Sequence, residues 1–267
     1  MAIITISRGT FSGGKELAEC LENKLGFKCL SREVLVEAAR RYGAQLENLT
    51  RALNDKPGIL EGMTSERVHY LAYIQAALIK DARDERLVYH GHAGQLLLRD
   101  VPHVLRVRVI AGMEYRIKAA MERNKLSREQ AVEYIKKVDS DRVRWTKFLY
   151  HADWYDLSLY DLAINLDKIG MSGACDMISL IVQREEFQPT PQSQKKLGDL
   201  ALATDIRARI AANETISDKD VEIEADDGAV TILGRVDSSV DADNIRNLIR
   251  HVPGVKDISS KLRVSLR

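Results

Sequence analysis

The sequence has little cysteine, little proline and almost no net charge, and each shortage excludes a class of protein. Three cysteines among 267 residues, far apart in the chain, are too few for a disulfide framework or a zinc cluster, so we expect reduced thiols. A formal net charge of +1 provides no overall field that attracts nucleic acid. No apolar run approaches about 18 residues, which argues against a membrane-spanning helix.

The N-terminal residues also lack the pattern of an export signal. The apolar stretch 3–6 is short, and Ser7 and Arg8 follow it at once. This pattern favours a β-strand over the apolar core of a signal peptide. We therefore expect a cytoplasmic protein.

Proline, although scarce, indicates where the chain divides. Two of the five prolines fall in the segment 185–196, which contains almost no apolar residues. Such a composition is typical of a linker. It predicts a first domain of residues 1–185, a linker of residues 186–196 and a second domain of residues 197–267.

In the first domain, apolar runs of strand length alternate with longer helical stretches. The runs are 3–7, 86–91, 103–110 and 160–165. Ser127 and Gln130 have the spacing of a capping box, which predicts a helix start between the last two runs. Strands separated by helices predict an α/β domain, a parallel sheet with helices on both faces. Ligands of such a sheet bind beyond the carboxyl ends of the strands.

The second domain has a different order of elements. The pattern predicts helices over 197–212 and 241–250 and strands over 220–225, 229–233 and 255–266. Asp226, Asp227 and Gly228 lie between the first two strands and are typical of a hairpin turn. The sequence therefore predicts a small α+β module of order αββαβ.

The residues after the first strand, GTFSGGKE at 9–16, have the G-x-x-x-x-G-K spacing of a phosphate-binding loop. A glycine-rich turn at a helix N-terminus presents backbone N–H groups and the positive end of the helix dipole to an anion. Lys15 can meet phosphate oxygens, but Glu16 stands where serine or threonine is usual. The alternative is an ordinary turn between a strand and a helix.

Six motifs in order resemble those of the cytidylate kinase-like family, a branch of the nucleoside monophosphate kinases with a phosphate-binding loop. They cover about residues 1–183. The motifs are ITISR with SGGKELA at 4–18, Gly26-Phe27 with Arg32-Glu33, VYHGHA at 88–93, AGMEYR at 111–116, Asp139 with Arg142, and YDLAIN at 160–165.

The resemblance implies a kinase that uses ATP and Mg²⁺ and acts on a small-molecule nucleotide. It assigns residues to four roles. The donor phosphates would be held by Ser12, Gly13, Gly14, Lys15 and Glu16; the reaction would use Lys15, Arg116, Asp139 and Arg142; the acceptor would contact Arg32, His92 and Asp139; and Glu16 would contact the metal.

Arg116 and Arg142 fall in two predicted helices that the family uses as a mobile lid over the phosphates. Arginines there would surround the transferred phosphoryl group. The alternative, without the resemblance, is a solvated pair of charge-rich helices in which Asp139 and Arg142 form an ordinary ion pair three residues apart.

Three residues depart from the family pattern, and all three fall at the expected site. Relatives usually have glycine where Phe11 stands, aspartate where Ser31 stands and arginine where His92 stands. These departures keep two hypotheses open: an active kinase, and a nucleotide-binding sensor with impaired catalysis.

The second domain resembles the BON domain over 197–267, through the helix DIRARI, the strands VEIEADDGAVTILGRV and the ending VPGVKDISSKLRV. We expect Gly234 to permit a close approach or a bend at the end of its strand. The resemblance implies a module for regulation or interaction, with a phospholipid, an ion or a protein as its partner. A homo-oligomer is compatible with this expectation, and a nucleic-acid partner is not expected.

Overall fold

The computed structural model describes residues 2–54, 65–84, 86–91, 93–213, 215–216 and 220–265. None of the helices in these ranges combines the length and the apolar character needed to span a bilayer. The chain separates into two compact units. The first unit has residues 1–31 and 85–189, and the second has residues 32–84 and 190–267.

In chain order the elements alternate between helix and strand. They are β1 (Ile3–Arg8), α1 (Gly14–Leu25), β2 (Lys28–Leu30), α2 (Glu33–Tyr42), α3 (Leu46–Asn54), α4 (Ser65–Asp84), β3 (Leu87–Tyr89), α5 (Gly94–Leu97), β4 (Val104–Ile110), α6 (Met113–Asn124), α7 (Arg128–Tyr150), β5 (Leu162–Asn165), α8 (Leu166–Ile181), α9 (Pro191–Ala211), β6 (Asp220–Asp226), β7 (Ala229–Val236), α10 (Ser239–Arg250), β8 (Asp257–Ser260) and β9 (Arg263–Val264).

The first unit is built on a parallel sheet of five strands in the order β2-β3-β1-β4-β5. β1 is the central strand, and its isoleucines Ile3, Ile4 and Ile6 are at most 1% exposed. Helices cover the sheet, as the apolar strands require. The predicted α/β class is confirmed. The short strand β2 was not predicted, because three residues are too few to show an alternation.

The second unit combines α2, α3 and α4 with α9, α10 and a small mixed sheet. β6 and β7 are antiparallel and joined at Asp227 and Gly228, which both have positive φ, as a type I′ hairpin turn requires. β8 and β9 are parallel to β7. The predicted small α+β module is confirmed, but its last strand is broken into two.

Gly234 has a φ of 110°, and a Cβ there would lie 1.8 Å from the carbonyl oxygen of Asp220. The expected close approach at this strand end is therefore present. α9 begins at Pro191, inside the segment 186–196 that the composition predicts as a linker. Thr190 and Ser193 form a capping box there, and proline favours the first helical position.

Within the second unit, α4 packs against α9. The Tyr73 hydroxyl donates a hydrogen bond of 2.9 Å to the carbonyl oxygen of Ala211. Arg41 of α2 pairs with Asp205 of α9 at 2.6 Å. Helices from the middle of the chain and the helix that opens the C-terminal module therefore share one packed unit.

Cys20 of α1 and Cys175 of α8 form a disulfide within the first unit. The prediction of reduced thiols is therefore wrong for this pair, because α1 and α8 pack side by side although the two residues are 155 apart in sequence. Cys175 is fully buried. Cys29 is not in a disulfide.

We expect the double substitution Cys20→Ala with Cys175→Ala to lower the free energy of unfolding by about 2–4 kcal/mol, because a long loop is no longer closed in the unfolded chain. Urea unfolding under non-reducing conditions measures the change. Cys29→Ala is the matched control and should leave the midpoint nearly unchanged. Equal midpoints for the double variant and the parent would contradict the cross-link.

Candidate functional site

A glycine-rich loop joins the central strand β1 to α1 in the first unit. The Ser12 amide donates to the carbonyl oxygen of Gly9 at 3.2 Å, and the Ser12 hydroxyl donates to the same oxygen at 2.8 Å. Gly13 has a φ of 85° and caps α1, so glycine is required there. The loop therefore curls over the N-terminus of α1, as a phosphate cradle does.

The loop lines a cavity of about 210 Å³. Ser12, Gly13, Gly14, Lys15 and Glu16, the five residues that the sequence assigns to the donor phosphates, all lie on its wall. Lys15 has a side chain that is 65% exposed and lies 3.5 Å from Glu19. Its ammonium group is held only by this solvated pair, which leaves it able to meet an anion in the cavity.

Glu16 forms an ion pair with Arg123 of α6. Its second carboxylate oxygen, Oε2, is buried without a hydrogen-bond partner among the described residues. One oxygen of Glu16 is thus neutralised, and the other is available to a further donor. In the part of the chain that the structure describes, no group of three or more His, Cys, Asp and Glu side chains is placed to hold a metal ion.

Arg116 of α6 and Asp139 and Arg142 of α7, predicted as a catalytic set, meet at the residue that follows the first loop glycine, Thr10. The Asp139 carboxylate accepts from the Thr10 amide at 2.9 Å and from the Thr10 hydroxyl at 2.7 Å. Arg116 pairs with the same carboxylate and donates to the Thr10 carbonyl at 2.7 Å. Arg142 donates to the Thr10 hydroxyl at 2.9 Å. One carboxylate thus ties two arginines to the loop.

Arg142 is deeply placed in this arrangement. Burial lowers the pKa of its guanidinium to about 10, and the nearby Arg8 lowers it further in the same direction. Asp139 opposes the shift as the counter-charge. Arg142 remains protonated at neutral pH, so it presents a positive charge beside the cavity that it helps to line.

Two functional candidates were missed by sequence reasoning, Arg8 and Arg108. Arg8 ends β1, lines the cavity and donates to the carbonyl oxygen of Gly91 at 3.2 Å. Arg108 on β4 is 4% exposed, and its guanidinium lies 3.6 Å from the centre of the Trp154 ring. Burial lowers the pKa of both arginines. A signal was present for Arg108, since a charge on a strand that is otherwise apolar is unusual.

Phe11 connects the loop to the helical hairpin of α6 and α7. Its φ of 59° is in the left-handed region, which costs a non-glycine residue about 1 kcal/mol or more. Its ring packs against the hydrophobic cluster of Ile117, Ala120, Ala131 and Ile135 in the hairpin, and lies 5.9 Å from the Tyr134 ring. The residue that departs from the family pattern is therefore a contact between loop and hairpin.

The remaining predicted residues are not brought to this cavity by the described structure. Arg32 is the N-cap residue of α2 and belongs to the second unit. His92 lies outside the described residues. The predicted capping box of Ser127 and Gln130 is confirmed at the start of α7. Trp145 and Trp154, predicted as packing residues, are buried, whereas Tyr155 is 59% exposed.

Comparison with known families gives two matches on this chain. A model of the cytidylate kinase-like family matches residues 3–168. A model of the BON domain matches residues 198–265. Together the two matches span most of the chain and do not overlap.

Individual relatives agree with the first match. A cytidylate kinase from Desulfurococcus amylolyticus is 30% identical over 189 residues, which is 69% of this chain and 94% of the relative. A cytidylate kinase from Saccharolobus islandicus is 25% identical over 199 residues, covering 74% and 99%. The crystal structure of an uncharacterized protein from Eubacterium ventriosum has a TM-score of 0.53 at 23% identity and covers 69% of this chain and all of its own. This last likeness shows the fold alone.

Substitution of Phe11 separates the effect of the ring from the effect of backbone strain. Phe11→Ala removes the ring and keeps a Cβ at positive φ, whereas Phe11→Gly removes both. We expect both variants to increase amide hydrogen exchange across α6 and α7. We expect the glycine variant to be the more stable of the two by about 1 kcal/mol, the reverse of the usual order.

Phe148→Ala is the control, because Phe148 is an exposed phenylalanine of α7 that contacts Trp145. Unchanged exchange in both Phe11 variants would show that the ring does not hold the hairpin to the loop.

Proposed function

The chain belongs to the cytidylate kinase-like family, and on that premise we propose that it transfers the γ-phosphoryl group of ATP to a nucleoside monophosphate such as CMP or dCMP, or to a related small acceptor. Residues 1–185 form the kinase domain, residues 186–196 the linker and residues 197–267 the BON module. The observation that carries the proposal is the meeting of Arg116, Asp139 and Arg142 at the loop after β1.

The donor phosphates bind in the cavity under the loop. The backbone N–H groups of Ser12, Gly13 and Gly14 and the N-terminus of α1 face them, and Lys15 reaches their oxygens. Phosphoryl transfer depends on positioning and on cations around the transferred group. Arg116 and Arg142 supply those cations, because the α6–α7 hairpin holds both beside the loop.

Asp139 has a positioning role in this proposal. Its carboxylate orients Arg116 and Arg142 and also contacts Thr10, so it links both arginines to the cradle. When the acceptor binds, Asp139 can exchange one of these hydrogen bonds for a hydroxyl or amino group of the acceptor. By family resemblance, Arg32 and His92 also contact the acceptor.

Mg²⁺ fits the site through one oxygen. The buried Oε2 of Glu16 lacks a partner among the described residues and accepts hydrogen bonds, which suits a water molecule of a hydrated Mg²⁺ ion. When bound, the ion neutralises charge on the phosphate oxygens. Arg123 holds the other oxygen of Glu16 and keeps the carboxylate at the cavity wall.

A specific observation favours the second candidate function, a nucleotide-binding sensor with impaired catalysis. Asp139 already occupies the Thr10 amide, and Arg123 already pairs with Glu16, so the site satisfies its own charges in part. Phe11 adds a hydrophobic contact that resists opening of the hairpin. In this reading, nucleotide binding changes the state of the hairpin without turnover.

The BON module serves regulation or interaction in either case. Its partner is a phospholipid, an ion or a protein, and the module works in the cytoplasm, as a monomer or a homo-oligomer. Sedimentation with lipid vesicles, ion titration followed by thermal unfolding, and analytical ultracentrifugation of the full chain distinguish these partners.

The kinase reading is tested by ADP release in a coupled assay with ATP, Mg²⁺ and each of CMP, dCMP, UMP and further acceptors. We expect turnover with at least one acceptor. Arg142→Lys should lower kcat by about 10²-fold with a smaller change in KM, because the planar guanidinium acts mainly in the transition state. Arg144→Lys, on the same helix with a 60% exposed side chain, is the matched control.

ATP binding without turnover for any acceptor would reject the kinase and leave the sensor. Turnover that Arg142→Lys leaves unchanged would reject the assigned role of Arg142.

The cradle assignment is tested by Lys15→Ala. We expect the affinity for ATP to fall about tenfold or more, because a charge-assisted hydrogen bond to phosphate is lost. Isothermal titration measures the change. Lys24→Ala, at the other end of α1, is the control. A Lys15 variant with full nucleotide affinity would refute the cradle for both candidate functions.

A further inference from the structure

Four arginines of the first unit form a cluster that has too few negative charges. The arginine cluster is Arg8, Arg108, Arg116 and Arg142. Among the described residues, Asp139 is its one carboxylate at ion-pairing distance, and it pairs with Arg116 and Arg142. Four guanidiniums and one carboxylate leave a formal excess of three positive charges.

The excess charge is not placed in open solvent. Arg108 is 4% exposed, and the side chains of Arg116 and Arg142 are 13% and 17% exposed. Burial lowers the pKa of Arg8, Arg108 and Arg142, and the pKa of Arg142 is lowered further by Arg8, Arg108 and Arg116. A buried charge without a partner is costly for a fold. The cluster is therefore built for a counter-ion that comes from outside the chain.

Arg8 is the member of the cluster best placed to meet that ion. It lines the cavity of the loop, together with Lys15, Arg123, Arg142 and the single carboxylate Glu16. Arg123 neutralises Glu16, so the cavity wall has a net positive charge. The described structure gives Arg8 no carboxylate partner, and its hydrogen bond is to the carbonyl oxygen of Gly91.

The fold also fixes where the guanidinium of Arg8 can go. A Cβ on Gly14 would lie 2.6 Å from Cγ of Arg8 and 2.8 Å from its Cβ. The stem of Arg8 therefore lies on the backbone of the first residue of α1, and any larger residue at 14 would displace it. The glycine that opens the helix thus serves a neighbouring arginine as well as the phosphate cradle.

We propose that Arg8 is a phosphate-binding residue of this cavity, and that the phosphate groups of the bound nucleotide are the counter-ion that the arginine cluster lacks. The ligand class is a molecule with at least two phosphate charges, such as a nucleoside diphosphate or triphosphate, or inorganic pyrophosphate. This inference rests on the proposed nucleotide site, but it requires binding and not turnover.

The test uses the full chain and measures binding of ADP and of inorganic pyrophosphate by isothermal titration. Arg8→Met removes the charge and keeps the length of the stem, and Arg8→Lys keeps the charge without the planar fork. We expect affinity for both probes to fall about tenfold or more in Arg8→Met and by less in Arg8→Lys. Arg128→Met, an exposed arginine of α7 that pairs with Glu114, removes the same charge elsewhere and should change affinity less than twofold.

Thermal unfolding without ligand separates binding from a structural role. If Arg8 is an unneutralised charge that awaits phosphate, Arg8→Met should unfold at the same or a higher temperature than the parent, and ADP should stabilise it less. Unchanged affinity in Arg8→Met overturns the proposal. A lower unfolding temperature with an unchanged stabilisation by ADP also overturns it, because Arg8 would then only hold Gly91.

If Arg8→Met does not fold, Arg8→Lys decides. A loss of affinity above threefold supports the proposal, and parental affinity overturns it. ADP binding by the parent without ADP release for any acceptor rejects the kinase and leaves the role of Arg8 to be read from the variants. Failure of the parent to bind ADP or pyrophosphate rejects both.

Discussion

The carboxylate of Asp139 is the interaction on which the arrangement of the site depends. It holds the amide and the hydroxyl of Thr10 on one side and two guanidiniums on the other. The loop after β1 and the hairpin of α6 and α7 are therefore joined through one small group. Because that group also supplies the only ion-paired negative charge of the arginine cluster among the described residues, any movement of the hairpin redistributes charge at the loop.

Cost is concentrated where the chain would meet its ligand. Phe11 holds a left-handed backbone conformation, and Arg8, Arg108 and Arg142 hold charge in places that lower their pKa. Strain and unbalanced charge are common at functional sites, where the surrounding structure must compensate. The compensation here comes from a parallel sheet with a fully buried central strand and from the cross-link between α1 and α8.

Local features were predictable from the sequence, and long-range ones were not. The loop at 9–16, the capping box of Ser127 and the hairpin turn at Asp227 each depend on neighbouring residues, and the structure has all three. The pairing of Cys20 with Cys175 depends on two helices that are far apart in sequence. Arg106 and Arg108 have the same spacing on β4, yet Arg106 pairs with Asp161 at the surface and Arg108 is buried on Trp154. Alternation alone could not tell these two arginines apart.

The composition of the second unit has a consequence for how the gene could be divided. Residues 32–84 fall inside the match to the kinase-like family, yet they pack in one unit with α9, where Tyr73 and Arg41 contact Ala211 and Asp205. A fragment that ends near residue 185 would remove α9 and leave the facing side of α4 uncovered. The two family matches are therefore contiguous in sequence but are not interchangeable parts, and a swap of the C-terminal module between relatives would have to carry a matching α4.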